Sequence, residues 1–189
     1  TAASPFSDAM AEKAMELIGE NIRRFVANRT DVEAAEAMIV GSLFAGIAFS
    51  FARLGNVHAM SHPVSAFFDV PHGVANAVLL PVVAEYNALA DHGRYYKIYN
   101  YISEIPVYED EFEPMMLVDA IRSLCKAIGI PANLTEAINQ AGKTGSISRE
   151  TIEEKIEAMA ADAMKSGNIA VNPRSSRQCD IEMLYRKAL

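Results

Sequence analysis

The 189 residues suffice for one domain with a sizeable core or for two small ones, and 51% apolar with 22% charged residues describes a folding chain, not a disordered one. A net charge of −7, from 24 acidic against 17 basic residues, argues against a nucleic-acid partner, and the basic residues are scattered, with Arg23-Arg24 and Arg186-Lys187 the only adjacent pairs. Cys125 and Cys179 form no CxxC or other metal spacing and suit a reducing cytoplasm. No basic segment followed by an apolar one marks a secretory leader. The longest apolar run, residues 38–52, has 15 residues, short of the ~20 a bilayer-spanning helix needs, so no membrane partner is expected. With Gly41, Ser42, Gly46 and Ser50 inside it, the run reads as a fully buried core helix whose small residues let neighbours approach.

Along the chain the apolar spacing is helical almost throughout. Ser4 stands as N-cap before Pro5, and Met10, Ala14, Leu17, Ile18, Ile22 and Phe25 keep a 3.6-residue period. Thr30 and Glu33 have the spacing of a capping box that opens a second helix reaching about Arg53. Leu54-Gly55-Asn56 breaks the pattern, and a short helix through His58 and His62 follows, weakened at Pro63. Residues 67–73 read as a loop, residues 74–86 as a helix with a kink point at Pro81, and Tyr95, Ile98, Tyr99 and Ile102 as a further apolar stripe. Residues 116–128 form a helix ended by Gly129-Ile130-Pro131; residues 133–141 are a short one. Ile152, Ile156, Met159, Ala160 and Ala163 mark an amphipathic helix that stops at Gly167, and the last helix covers about 180–188. No period-two alternation survives, so the expected fold is one all-α domain, a helical bundle, with room for the C-terminal third to pack as a subdomain.

Three of the four histidines, His58, His62 and His72, fall within 15 residues. Imidazole is the commonest protein ligand for transition metals. On a regular helix His58 and His62 share a face, and His72, beyond the intervening turn, is the natural third donor. A single histidine more often caps a helix or bonds a buried carbonyl; three together favour a metal. Asp69 is either a fourth donor or, ahead of Val-Pro, a turn former. Met60 and Phe67-Phe68 read as pocket lining or core. Asn76 and Asn87 could hydrogen-bond in a pocket but fit the helix surface better. Asp8, Glu12 and Glu16 read as a solvated face, and His92, beside Asp91 and Gly93, as a turn residue.

The stretch Val57-His-Ala-Met-Ser-His-Pro-Val-Ser-Ala-Phe-Phe-Asp-Val-Pro-His-Gly-Val-Ala-Asn-Ala-Val-Leu-Leu-Pro81 closely resembles a motif of the iron-containing (group III) alcohol dehydrogenases. Ser4-Pro-Phe-Ser-Asp-Ala resembles the segment entering that family's helical domain, and Ala170-Val-Asn-Pro-Arg174 with Asp180-Ile and Leu-Tyr185 resembles its C-terminus. The resemblance spans the chain and implies the family's dehydroquinate synthase-like helical metal-binding domain, residues 1–189. The N-terminal nucleotide-binding domain would be absent, a reading that a start at Thr1 rather than Met suits.

The resemblance further implies that His58 and His72 are two of four metal ligands. The family's remaining aspartate and histidine lie on an Asp-x3-His helix upstream of Thr1. His62 then corresponds to a histidine near metal and nicotinamide, a catalytic and cofactor-binding position rather than a ligand, and distortion at Pro63 could turn it off the His58 face. Ser65 stands where glycine is frequent, Phe51 where asparagine is, and Arg177 where a threonine would cap the last helix, the last at a cost on the order of 1 kcal/mol.

The implied reaction is reversible hydride transfer between NAD or NADP and a small primary alcohol or aldehyde, with Fe(II), or Zn(II) in the same site, as Lewis acid. His62 would relay a proton or orient the substrate. A cytoplasmic homo-oligomer, dimer or larger, is the expected assembly. With two ligands and the nucleotide domain missing, the isolated chain is expected to be inactive. Two other readings stand beside this one: a catalytically silent structural or oligomerisation fragment, and a helical metal-dependent hydrolase.

Overall fold

The computed structural model describes residues 2–142 and 146–189. Among them there is helix and no strand, as the apolar spacing predicts. The chain forms two compact units: one runs up to Arg53 and includes Asp91–Ile128, the other joins Leu54–Ala90 to Gly129–Leu189.

In the first unit, α1 (Pro5–Ala27) and α2 (Val32–Ala52) form a helical hairpin. Ser4 caps α1 as expected: its Oγ accepts from Ser7 N at 3.3 Å while Ser7 Oγ accepts from Ser4 N at 2.8 Å. The cap of α2 is Asp31 rather than Thr30. The Asp31 carboxylate accepts from Ala34 N at 3.0 Å, and Thr30 turns instead to Asn28 Oδ1 at 2.7 Å. A charged acceptor is the stronger cap, and Arg24 holds it in place from 3.0 Å while also reaching Glu33. The Ala34 N–H keeps the Asp31 carboxyl below the usual carboxylate range.

Apart from Gly19, which faces α5, the buried residues of the hairpin repeat every seven: Ser7, Ala14 and Asn21 on α1, Ala34, Gly41 and Ala48 on α2. Small side chains at that spacing let two helix backbones approach closely. A Cβ on Gly41 would meet Ile18 Cγ1 at 2.7 Å. The expectation that α2 is fully buried is therefore wrong. Only the small-residue face is covered, whereas Ile39 and Leu43 are 71% and 61% exposed. The length argument against a membrane span also fails for this helix, whose 21 residues are long and apolar enough to cross a bilayer, as is His72–Ala90.

α5 (Arg94–Ile102) and α6 (Pro114–Ala127) complete the unit. α5 approaches α1 so closely that a Cβ on Gly19 would lie 2.1 Å from the Tyr101 carbonyl oxygen. The charges read as a solvated face of α1 serve this approach: Arg94 forks onto Asp8 at 2.8 and 3.1 Å, and Lys97 reaches Glu12 at 3.5 Å. α6 begins two residues before Met116, because Pro114 serves as its first-turn residue. His92 lies exposed in the turn before α5.

The second unit contains α3 (Asn56–Phe68), α4 (His72–Asn87), α7 (Leu134–Ala141), α8 (Arg149–Glu153), α9 (Ile156–Met164) and α10 (Gln178–Ala188). Met60, Val64, Leu79, Leu134, Ile156, Ile181 and Tyr185 are among its core residues. Two boundaries differ from the sequence expectation. The helix anticipated through Ile152 and Ala163 is two, α8 and α9, separated at residues 154–155. α3 continues past Pro63 to Phe68, so the expected loop shrinks to residues 69–71 and α4 starts at His72. At Arg177 half of a capping box survives without a capping side chain, since the Asp180 carboxylate accepts from Arg177 N at 2.8 Å.

Candidate metal centre

α3 is fixed in place before any histidine is considered. Its first residue, Asn56, is fully buried; its backbone N–H donates to Asn172 Oδ1 at 3.1 Å and its side-chain amide to Ser176 Oγ at 2.8 Å. Asn172 exchanges two further hydrogen bonds with Asn87, at 2.8 and 3.2 Å, so the start of α3 is tied to the end of α4. Arg174 locks the same corner, with its guanidinium 3.9 Å over the Tyr86 ring and donating to Tyr86 O at 2.9 Å. One helical turn into α3, the buried Tyr185 hydroxyl donates to Met60 O at 2.6 Å. Burial pushes that phenol well above its ordinary pKa, so it stays a donor at any physiological pH.

Residues 56, 87, 172 and 185 are far apart in sequence, and of these the sequence reading singled out only Asn87 as a hydrogen-bonding candidate. Pairing between distant asparagines leaves no periodic trace. Gly55 gives the one local hint, because a Cβ there would meet Asn172 Oδ1 at 2.8 Å.

On this frame α3 presents His58 and His62, and α4 opens with His72. Asp69 takes the left-handed conformation, φ 57°, at the end of α3, which is the turn-forming role. The three imidazoles cluster, with ring centroids 5.3 Å apart for His58–His72, 5.1 Å for His62–His72 and 6.5 Å for His58–His62. His62 stacks on His72 with 22° between ring planes. Pro63 is accommodated inside α3 without removing His62 from the group.

At the centre of the cluster is Asn76, one turn along α4 from His72, which the sequence favoured as helix surface. Its Nδ2 lies 3.0 Å from His72 Nε2 and 3.3 Å from His58 Nε2. An amide N–H donates, so both Nε2 atoms accept and both rings carry their proton on Nδ1. Ser61 fits this assignment. Its Oγ lies 3.4 Å from His72 Nδ1 and can donate to His58 O at 3.2 Å. His62 and His72 are exposed and His58 is half-buried. Burial, reinforced by the neighbouring His72 and His62 rings, lowers the His58 pKa and favours its neutral form.

Two imidazole nitrogens converging on one point are donors of the kind a borderline-soft divalent ion takes, and they supply part of its coordination sphere. Among the described residues no group of three or more His, Cys, Asp or Glu donors is close enough to hold a metal ion. Asn76 and Ser61 are hydrogen-bonding neighbours of the histidines that motif spacing did not assign.

The profile of the Fe-containing alcohol dehydrogenase family, C-terminal, matches residues 1–189. The chain belongs to this family. It is 37% identical over 190 residues to 1,3-propanediol dehydrogenase of Citrobacter freundii, covering 98% of this chain and 45% of that protein. It is 35% identical over 183 residues to lactaldehyde reductase of Escherichia coli K12, covering 96% of this chain and 44% of that protein. A crystal structure of 1,3-propanediol oxidoreductase superimposes with a TM-score of 0.86 at 36% identity, over the whole chain and 47% of that protein. Alcohol dehydrogenase from Oenococcus oeni does so with the same TM-score at 31% identity, over the whole chain and 46% of that protein. The all-helical fold expected from the sequence is that of the family's C-terminal part. The chain spans about half the length of the curated relatives it matches.

Proposed function

We propose that the chain supplies the metal-holding helical part of an NAD(P)-dependent dehydrogenase that moves hydride between a nicotinamide and a small primary alcohol or aldehyde. The observation that carries this is the convergence of His58 Nε2 and His72 Nε2 on a single amide, at 3.3 and 3.0 Å. Relatives named 1,3-propanediol dehydrogenase, lactaldehyde reductase and NADPH-dependent butanol dehydrogenase support the substrate class.

His58 and His72 would hold Fe(II), or Zn(II), each as a neutral imidazole through Nε2. When bound, the metal supplies the Lewis acidity that polarises a substrate C–O bond. The chain's own residues do the rest. The Asn172 network and Tyr185 keep α3 and α4 in register, which fixes the separation of the two ligand rings. Ser61 orients His72 through Nδ1. His62, exposed and stacked beside His72 rather than sharing the Asn76 amide, is free to accept or deliver a proton at a ring nitrogen and to contact the nicotinamide. Two imidazoles fill half of a four-coordinate sphere, so we read the chain alone as catalytically silent, with the other ligands and the nicotinamide held by residues outside it.

The test is anaerobic NADH and NADPH oxidation with short aldehydes in the presence of Fe(II), using the complete reading frame that encodes this chain beside its His72→Ala variant. Turnover that depends on metal and is lost in the variant supports the reading. Folded, metal-loaded protein that turns over no short aldehyde overturns it.

A further inference from the structure

We propose that Asn76 is a positioning residue that sets His58 and His72 in the Nδ1–H tautomer, so that both Nε2 lone pairs face one point. The Asn76 amide nitrogen lies 3.0 Å from His72 Nε2 and 3.3 Å from His58 Nε2, and it has one hydrogen for each. Meanwhile its Oδ1 is buried and has no hydrogen-bond partner among the described residues. An amide with an unmet buried oxygen flips or rotates unless its N–H groups are held, and here two ring nitrogens hold them. Free histidine prefers the Nε2–H tautomer, so two adjacent rings with bare Nε2 atoms require a cause. Asn76 supplies it for both at once. Ser61 adds to it for His72, because an Oγ that donates to the His58 carbonyl has a lone pair left for the His72 Nδ1–H at 3.4 Å.

The tautomer assignment stands on the geometry alone. Its consequence for metal affinity rests on the proposed function, in which a divalent ion takes those lone pairs. Asn76 contacts the same Nε2 atoms that would ligate, so it would preset the tautomer of both rings and give up those lone pairs to the ion.

The experiment uses the full 189-residue chain with ¹⁵N-labelled histidine, stripped of metal by chelation, at a pH where the rings are neutral. Long-range ¹H–¹⁵N correlations are expected to report Nδ1–H on both His58 and His72. In Asn76→Ala at least one ring should revert to Nε2–H. In Asn76→Asp, the same size but only an acceptor, both should shift toward Nε2–H. Backbone amide spectra check that each variant is folded. Nε2–H on either ring of the unsubstituted chain, or tautomers unmoved by both variants, would overturn the proposal. The positioning role of Asn76 stands or falls on the tautomers alone, whereas the metal reading is tested by the metal content of the protein made from the complete reading frame.

Discussion

Replacing Gly55 by alanine should destabilise the second unit through one atom, Asn172 Oδ1. The new Cβ would lie 2.8 Å from that oxygen, whereas ordinary contact begins at 3.4 Å, so the oxygen must retreat by about 0.6 Å. It accepts from Asn56 N at 3.1 Å and from Asn87 Nδ2 at 3.2 Å, and a retreat of that size carries both beyond hydrogen-bond distance. Two bonds at roughly 1 kcal/mol each put the cost near 2 kcal/mol. Asn172→Ala removes the oxygen altogether and strands the buried Asn56 N–H and the Asn87 amide, for about 2–4 kcal/mol. In the double variant the methyl introduced at position 55 has space, so Gly55→Ala should add almost nothing, leaving a coupling of about 2 kcal/mol. Urea unfolding of the four proteins, followed by far-UV circular dichroism, measures the cycle. Additive losses, with the double variant about 4–6 kcal/mol below the parent, would refute the proposed contact between Gly55 and Asn172.

Other substitutions isolate single features in the same way. Tyr185→Phe keeps the buried ring but loses the 2.6 Å bond to Met60 O, and should lower stability by about 1 kcal/mol, read as a fall in Tm of about 2–4 °C. Gly19→Ala drives a methyl into the Tyr101 carbonyl and should cost several times what Gly46→Ala changes; nothing lies within 4 Å of a Cβ at Gly46, so that variant should gain about 0.5–1 kcal/mol in thermal unfolding. The Asp31 carboxyl is depressed in the folded chain, so its contribution is complete above the ordinary carboxylate range. It is lost as pH falls through the depressed value, where the unfolded chain has already bound its proton. Asp31→Asn should therefore flatten the acid limb of a Tm–pH profile while leaving its shape near neutrality unchanged.

The helical class and the site region were legible because both write themselves locally. Apolar residues recurred at helical spacing, and three histidines stood in one 15-residue window inside a motif matching a known family. Pro63 misled because a proline's lost donor argues for a break, but here Tyr185 and Asn172 hold α3 from outside and the helix continues. α2 misled because composition alone suggested full burial. Its seven-residue spacing of Ala34, Gly41 and Ala48, matched by Ser7, Ala14 and Asn21, was visible and points to one covered face. Asn76 was underrated since an asparagine on a helix is ordinarily solvated. Its role emerges only when α3 and α4 bring two imidazoles to it.

The central claim is that His58 and His72 are metal ligands and that His62, beside them, lies outside the coordination sphere. The direct measurement is metal content, by plasma mass spectrometry, of the protein purified from its complete reading frame and of His58→Ala, His72→Ala and His62→Ala. About one equivalent of divalent metal is expected in the unsubstituted protein and in His62→Ala, with little left in the other two. Loss of metal from His62→Ala to the same degree, or its retention in His58→Ala and His72→Ala, would contradict the assignment.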